Sequence, residues 1–165
     1  MAALSTGTTA PDINLPTTSR QQFSLQDALQ RGPVVAVFFK ISCPVCQYAL
    51  PYIERIHKAQ GNKKVTIVGV SQNDKRETEM FMKEYGITFP VLLDDSVHYP
   101  VSNAYGITNV PTTFLIGADG NIEVSSVSWA KGEIDEINRR VAEANGASPT
   151  PVFRANEQVA DFRAG

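Results

Sequence analysis

Cys43 and Cys46 are the only cysteines in the chain, and they stand three residues apart with Pro44 and Val45 between them. The pair follows, after Lys40-Ile41-Ser42, on Val34-Val35-Ala36-Val37-Phe38-Phe39, a continuously apolar and largely β-branched run. Such a run reads as a strand covered on both faces. From Gln47 to Ala59 the pattern changes, with Leu50, Ile53 and Ile56 on one side of a helix. The cysteines therefore sit where a buried strand turns into a helix. The first N–H groups of a helix lack partners within it, and that end carries the positive end of the dipole. A thiolate there is favoured over a thiol. The three-residue offset brings both sulfurs onto the first turn, within bonding reach. Cys43, nearer the loop, is the expected nucleophile. Cys46, one turn in, would attack the mixed disulfide and release the product. Pro44 is tolerated at the helix start because its missing N–H would be unbonded there anyway.

Three other readings compete. Half a zinc site would need two more ligands, and only His57 and His98 remain, at no ligand spacing. No metal and no cofactor is therefore expected. An inert structural bridge across three residues would close a very small loop and remove little chain entropy. The third reading is a pair of buried spectators. A disulfide framework is excluded, since two cysteines cannot staple a domain of this size.

The elements around the pair follow in order. Thr6–Thr18 is an extended lead-in, and Ser24 with Asp27 marks the start of a short helix to about Gln30, stopped by Gly32-Pro33. After the 47–59 helix, which Gly61-Asn62 ends, Val65–Val70 is a second buried strand and Arg76–Tyr85 a helix. Phe89–Leu93 is a short strand, and Val97–Tyr105 a short helix in which Pro100 fits only the first turn. Thr112–Ile116 and Ile122–Val127 are strands joined by the turn Ala118-Asp119-Gly120-Asn121. Glu133–Ala144 is the last helix, with Ile134, Ile137 and Val141 inward. His57 and His98 are expected on helix surfaces. This order predicts an α/β chain of three layers with a mixed sheet in the middle.

The 165 residues suit one domain, placed at residues 1–147, with 148–165 as a C-terminal tail, surface-hugging or mobile, that takes no part in the core. Hydrophobic residues at 42% and charged residues at 19% give a globular balance that needs no staple. A net charge of −2 gives no bulk attraction to nucleic acid or anionic lipid, so neither is expected as a partner. No apolar run approaches a bilayer span. Residues 1–11 lack a basic start and an apolar core, so the expected location is cytoplasmic as the chain stands, and periplasmic or secreted if the N-terminus has been trimmed.

Ala10-Pro11-Asp12, Ser24-Leu25, Pro33-Val34-Val35 and the Cys43/Cys46 motif together resemble the redoxin (AhpC/TSA) and TlpA-like branch of the thioredoxin superfamily. Pro51 stands where thioredoxins carry a helix-kinking proline, and Val110-Pro111-Thr112-Thr113-Phe114 resembles their cis-proline segment. Residues 71–105 match the strand–helix insert of this branch, and the resemblance covers residues 10–145. It implies a thioredoxin fold, three-layer α/β/α, and a thiol–disulfide oxidoreductase with Cys43 and Cys46 catalytic. It also implies that Pro111 packs against the dithiol. Val110 would offer backbone groups to an extended substrate, a form of strand addition, with Pro44 and Val45 completing the contact. The implied partners are a protein or small-molecule disulfide or thiol substrate and a thiol or other electron donor. The chain departs from the family pattern at Val37 and Ala49, where an acid is expected, and at Ser42, where a Trp is usual. Lys40 is the one basic group close to the motif.

The same branch includes peroxiredoxins, so the alternative is a thiol peroxidase with Cys43 as the peroxidatic cysteine. That chemistry wants a hydroxyl where this chain has Lys40, a proline where it has Ala36, and an arginine where it has Pro111. A redox-inert binding module is a third possibility on the same fold. A peroxide assay set against an insulin-reduction assay separates the first two, and a thiol titration identifies the third.

Overall fold

In the computed structural model, residues 2–61 and 63–165 are described; Met1 and Asn62, the latter half of the expected helix stop, lie outside them. A hairpin of β1 (Asn14–Pro16) and β2 (Gln22–Ser24) leads into α1 (Leu25–Leu29), where the Ser24 side chain accepts the Asp27 N–H as the cap. The hairpin lies partly inside the expected lead-in. Next come β3 (Val34–Phe39), α2 (Pro44–Gln60), β4 (Thr66–Ser71) and α3 (Lys75–Tyr85). They are followed by β5 (Val91–Leu93), α4 (Pro100–Ala104), β6 (Thr112–Ile116) and β7 (Ile122–Val127). The chain closes with β8 (Trp129–Ala130), α5 (Lys131–Ala144) and β9 (Phe162–Arg163).

The main sheet has the order β5-β4-β3-β6-β7. β3, β4 and β5 are parallel, while β6 runs antiparallel to β3 and β7 antiparallel to β6. Every residue of β3 is buried because both faces are covered. Strand alternation divides those residues between two cores. Val35, Val37 and Phe39 join Ile67, Leu115 and Val124 beneath the helices α2, α3 and α5. Val34, Ala36 and Phe38 join Val68, Val70, Phe114 and Ile116 on the opposite side, with Ile13, Leu25, Ala28 and Tyr105. The result is the α/β/α layering and mixed sheet that the element order implies.

α4 is shorter than expected. Pro100 occupies its first turn, and Val97 and His98 belong to a turn whose N–H groups are both taken by Asp95 Oδ1. Tyr99 precedes the helix in the left-handed region, at φ 51°.

The C-terminal segment corrects a larger expectation. It does hug the surface, but it also enters the core: Val152 is only 3% exposed and belongs to the core beneath α2 and α5. The Phe153 ring packs against Tyr52 and Trp129. Arg55 on α2 holds Glu157 through two hydrogen bonds of 2.7 Å and donates to the Val152 carbonyl at 2.9 Å. The indole N–H of Trp129 donates to the Ala160 carbonyl at 2.7 Å, and β9 pairs antiparallel with β8. Proline and scattered charge hid this, because the apolar residues of the segment follow no helix or strand period. Replacing Val152 by Ala should cost about 1–3 kcal/mol in urea unfolding, whereas a tail outside the core would leave the midpoint unmoved. Among the described residues no helix is long and apolar enough to cross a membrane.

Candidate active site

β3 ends at Phe39, and a three-residue turn carries the chain to Cys43. Two side chains pin that turn: Asn73 Oδ1 accepts the Ile41 N–H at 3.0 Å, and Gln47 Nε2 donates to the Ile41 carbonyl at 2.9 Å. Cys43 is the N-cap of α2, extended at φ −85°, ψ 117°, and Pro44 opens the helix. The Cys43 sulfur accepts the Cys46 N–H at 3.4 Å, so it takes the capping role usually given to a hydroxyl or carboxylate. Both thiols are free; Cys43 is half-buried and Cys46 fully buried.

β6 brings the second half of the site. Its pairing with β3 sets Thr112 opposite Phe38, which places the residues just before β6 beside the start of α2. The Val110–Pro111 peptide is cis, as expected. The Cys43 thiol donates to the Val110 carbonyl at 3.4 Å, Pro111 is buried, and the Pro111 carbonyl accepts the Ser128 N–H at 2.8 Å. Pro44 is exposed beside the dithiol. The Val45 side chain, expected to meet substrate, is instead 7% exposed and packs in the core, because α2 turns its second residue toward the sheet.

The two sulfurs differ in surroundings. Burial pushes the Cys46 thiol well above its ordinary pKa and the neighbouring Cys43 adds to the rise, against a smaller opposing effect of the Lys40 backbone. Val37 and Ala49, at the positions where an acid would serve Cys46, are both buried apolar residues. Two carboxylates are buried elsewhere. Glu54 accepts the N–H groups of Thr88 and Phe89, and Asp94 accepts the N–H and hydroxyl of Ser102. Glu54 is about two turns beyond Cys46 on α2, roughly 12 Å along its axis. Among the described residues no group of three or more His, Cys, Asp or Glu side chains is arranged to hold a metal.

His57 departs from its expected surface position. It is 8% exposed, its ring meets Phe89 edge-on at 5.9 Å between centroids, and its Nδ1 has no hydrogen-bond partner. The signal was present in the sequence: His57 follows Ile53 by four residues and so shares its inward face. His98 is exposed as expected, but on the turn before α4.

Comparisons with known proteins identify the family and the fold. The AhpC/TSA family model matches residues 6–125. This chain belongs to the AhpC/TSA family. The thiol-disulfide oxidoreductase ResA of Geobacillus thermodenitrificans is 32% identical over 122 residues, covering 73% of this chain and 68% of that protein. ResA of Bacillus subtilis is 33% identical over 121 residues, covering 73% and 66%. The chain thus spans about two-thirds of the length of these relatives. Among solved structures, the thioredoxin domain of a Bacteroides vulgatus thiol-disulfide oxidoreductase superposes with a TM-score of 0.74 at 23% identity, covering 84% of this chain and 99% of that one. A thiol:disulfide interchange protein of Chlorobium tepidum gives 0.68 at 27% identity, covering 87% and 100%. The fold is the thioredoxin fold, and the class of the chain is that of a thioredoxin-like disulfide oxidoreductase.

The His57 environment has a consequence for stability. Burial lowers the imidazole pKa in the folded protein, so an unfolded chain takes up a proton that the folded one resists. Stability should fall as pH drops below about 6.5, the ordinary histidine value. Urea unfolding at neutral and mildly acidic pH should show this loss, and His57→Leu should flatten that part of the profile.

Proposed function

We propose that Cys43 and Cys46 are the exchanging dithiol of this oxidoreductase. The observation that carries the reading is the arrangement of the two free thiols on the first turn of α2, one half-exposed against the Val110 carbonyl and one buried. The Cys43 thiolate attacks one sulfur of a substrate disulfide, forming a mixed disulfide and expelling the other sulfur as a thiolate. Cys46 then gives up its proton and attacks the Cys43 sulfur. The intramolecular disulfide forms and the second substrate thiol departs. A thiol donor restores the dithiol by the same exchange in reverse. The Val110 backbone, Pro111 and exposed Pro44 frame the incoming chain. Residues 1–147 act as one thioredoxin-like domain, onto which 148–165 is clamped.

Peroxide chemistry fits this site less well. Lys40, Ala36 and Pro111 occupy the places where the hydroxyl, proline and arginine of a peroxidase would stand. Lys40 is exposed and offers no hydroxyl. A secreted Mycobacterium tuberculosis disulfide oxidoreductase superposes with a TM-score of 0.62 at 26% identity over 79% of this chain. It supports an extracytoplasmic setting for the present one.

Two experiments test the assignment. Alkylation of the reduced protein near neutral pH should label Cys43 first, and Cys46→Ser should accumulate mixed disulfides while Cys43→Ser accumulates none. Equal labelling of the two cysteines would contradict the division of roles. The resolving step should also be slow near neutral pH, because a buried thiol must ionise with no carboxylate at position 37 or 49 to receive its proton. Its rate should climb by up to about tenfold per pH unit while the Cys46 thiolate remains a minor species. A resolving rate flat between about 6 and 9, a span around the free thiol value, would reveal a base elsewhere.

A further inference from the structure

β9 pairs antiparallel with β8, and a hydrogen bond on either side extends the contact from Asp161 to Gly165. Trp129 is paired with Arg163 and Ala130 with Phe162, the Lys131 N–H donates to the Asp161 carbonyl at 2.9 Å, and the Gly165 N–H donates to Ser128 Oγ at 3.0 Å. The far end of this strand reaches the dithiol loop. Asn109 Nδ2 donates to the Gly165 carbonyl at 2.9 Å, and Gly165 lies so close to Val110 that a Cβ built on it would collide with the Val110 carbonyl oxygen. That oxygen also accepts the Cys43 thiol. One carbonyl thus separates Gly165 from the nucleophile. Upstream, the Arg163 guanidinium lies 4.6 Å from the centre of the Tyr48 ring, within cation–π range.

We propose that Tyr48, Asn109, Val110 and Ser128 form the docking edge for an extended substrate polypeptide, and that residues 162–165 occupy it as an internal pseudosubstrate. This rests on the dithiol reading above and adds the substrate class and its control. The occupant shows what the edge accepts. Backbone groups are met by Asn109 and Ser128, a cationic side chain lies over Tyr48, and a residue without a side chain fits against Val110. A substrate bearing a basic residue two positions before a glycine-like small residue matches these subsites. A mixed disulfide on Cys43 places substrate backbone beside Val110, the space Gly165 fills, so the strap must leave first.

Its construction suits displacement. Residues 152–160 are held firmly by the buried Val152, the Arg55–Glu157 pair and the Trp129 indole. β9 is only two residues long, Phe162 is 61% exposed, and Ala164 and Gly165 are exposed. A short segment with little buried area opens at low cost while its anchor stays in place.

The test compares insulin reduction and iodoacetamide labelling in the full chain, in a chain ending at Asp161 and in Arg163→Glu. Thermal unfolding confirms that each is folded, and Arg163→Glu carries the test if the shortened chain is not. Shortening should raise kcat/KM for insulin by roughly tenfold, the gain if the strap covers the edge about nine-tenths of the time. Arg163→Glu should raise it part-way. The acetylated peptide Asp-Phe-Arg-Ala-Gly, amidated at its end, should inhibit the shortened chain competitively. Labelling of Cys43 by the small reagent should change much less than kcat/KM. Unchanged or reduced kcat/KM in folded variants whose activity still requires Cys43 would overturn the pseudosubstrate and leave the dithiol standing. Insulin reduction that is absent, or indifferent to Cys43→Ser and Cys46→Ser, would remove the dithiol reading and this one with it.

Discussion

The site depends on a sulfur acting as a helix cap. Cys43 accepts the Cys46 N–H and donates its own thiol hydrogen to the Val110 carbonyl. An atom held in that way is at the helix dipole, at the protein surface and beside the cis peptide at the same time. The sheet supplies the rest of the constraint. β3 is the central strand of five, so the end of β3 cannot move without the strands on either side. β6 is locked to it with Thr112 opposite Phe38. The dithiol and the proline loop come from opposite parts of the sequence, yet their spacing is fixed by backbone hydrogen bonds rather than by flexible loops.

The same helix gives its two cysteines different surroundings. The first residue of a helix can face water, while one a turn further in faces the core. Here Cys46 lies among the apolar groups of β3 and α2, so its charged form is opposed by desolvation. On the proposed dithiol reading, this burial keeps the second thiol from reacting with passing disulfides before the first has captured one. Its cost is the slow ionisation that follows. Glu54 does not relieve it, because that carboxylate is committed to the loop before β5.

Much of this was legible in the sequence. The apolar run Val34–Phe39 is a strand covered on both faces, as its pattern reads, and Thr112–Ile116 and Ile122–Val127 are strands as read. Ser24 caps α1 as its spacing to Asp27 implies. These signals are local: a period, a cap or a turn. What was not legible depends on distant partners. The β1–β2 hairpin has three residues per strand and no alternation long enough to detect. The C-terminal segment has no period of its own and gains its structure from Arg55, Trp129 and Ser128, which lie far away in sequence. His57 is buried although polar, because the helix period decides which face a residue occupies before its chemistry does. The Val45 side chain turned inward for the same reason.

The most direct measurement is a redox titration of the full chain against glutathione buffers, quenched with an alkylating reagent and read by mass spectrometry. One two-electron transition is expected, in which Cys43 and Cys46 lose their thiols together, reversible in both directions and absent when either is replaced by serine. Two thiols that remain reduced across the series, or that are capped singly by glutathione without forming a shared disulfide, would contradict it.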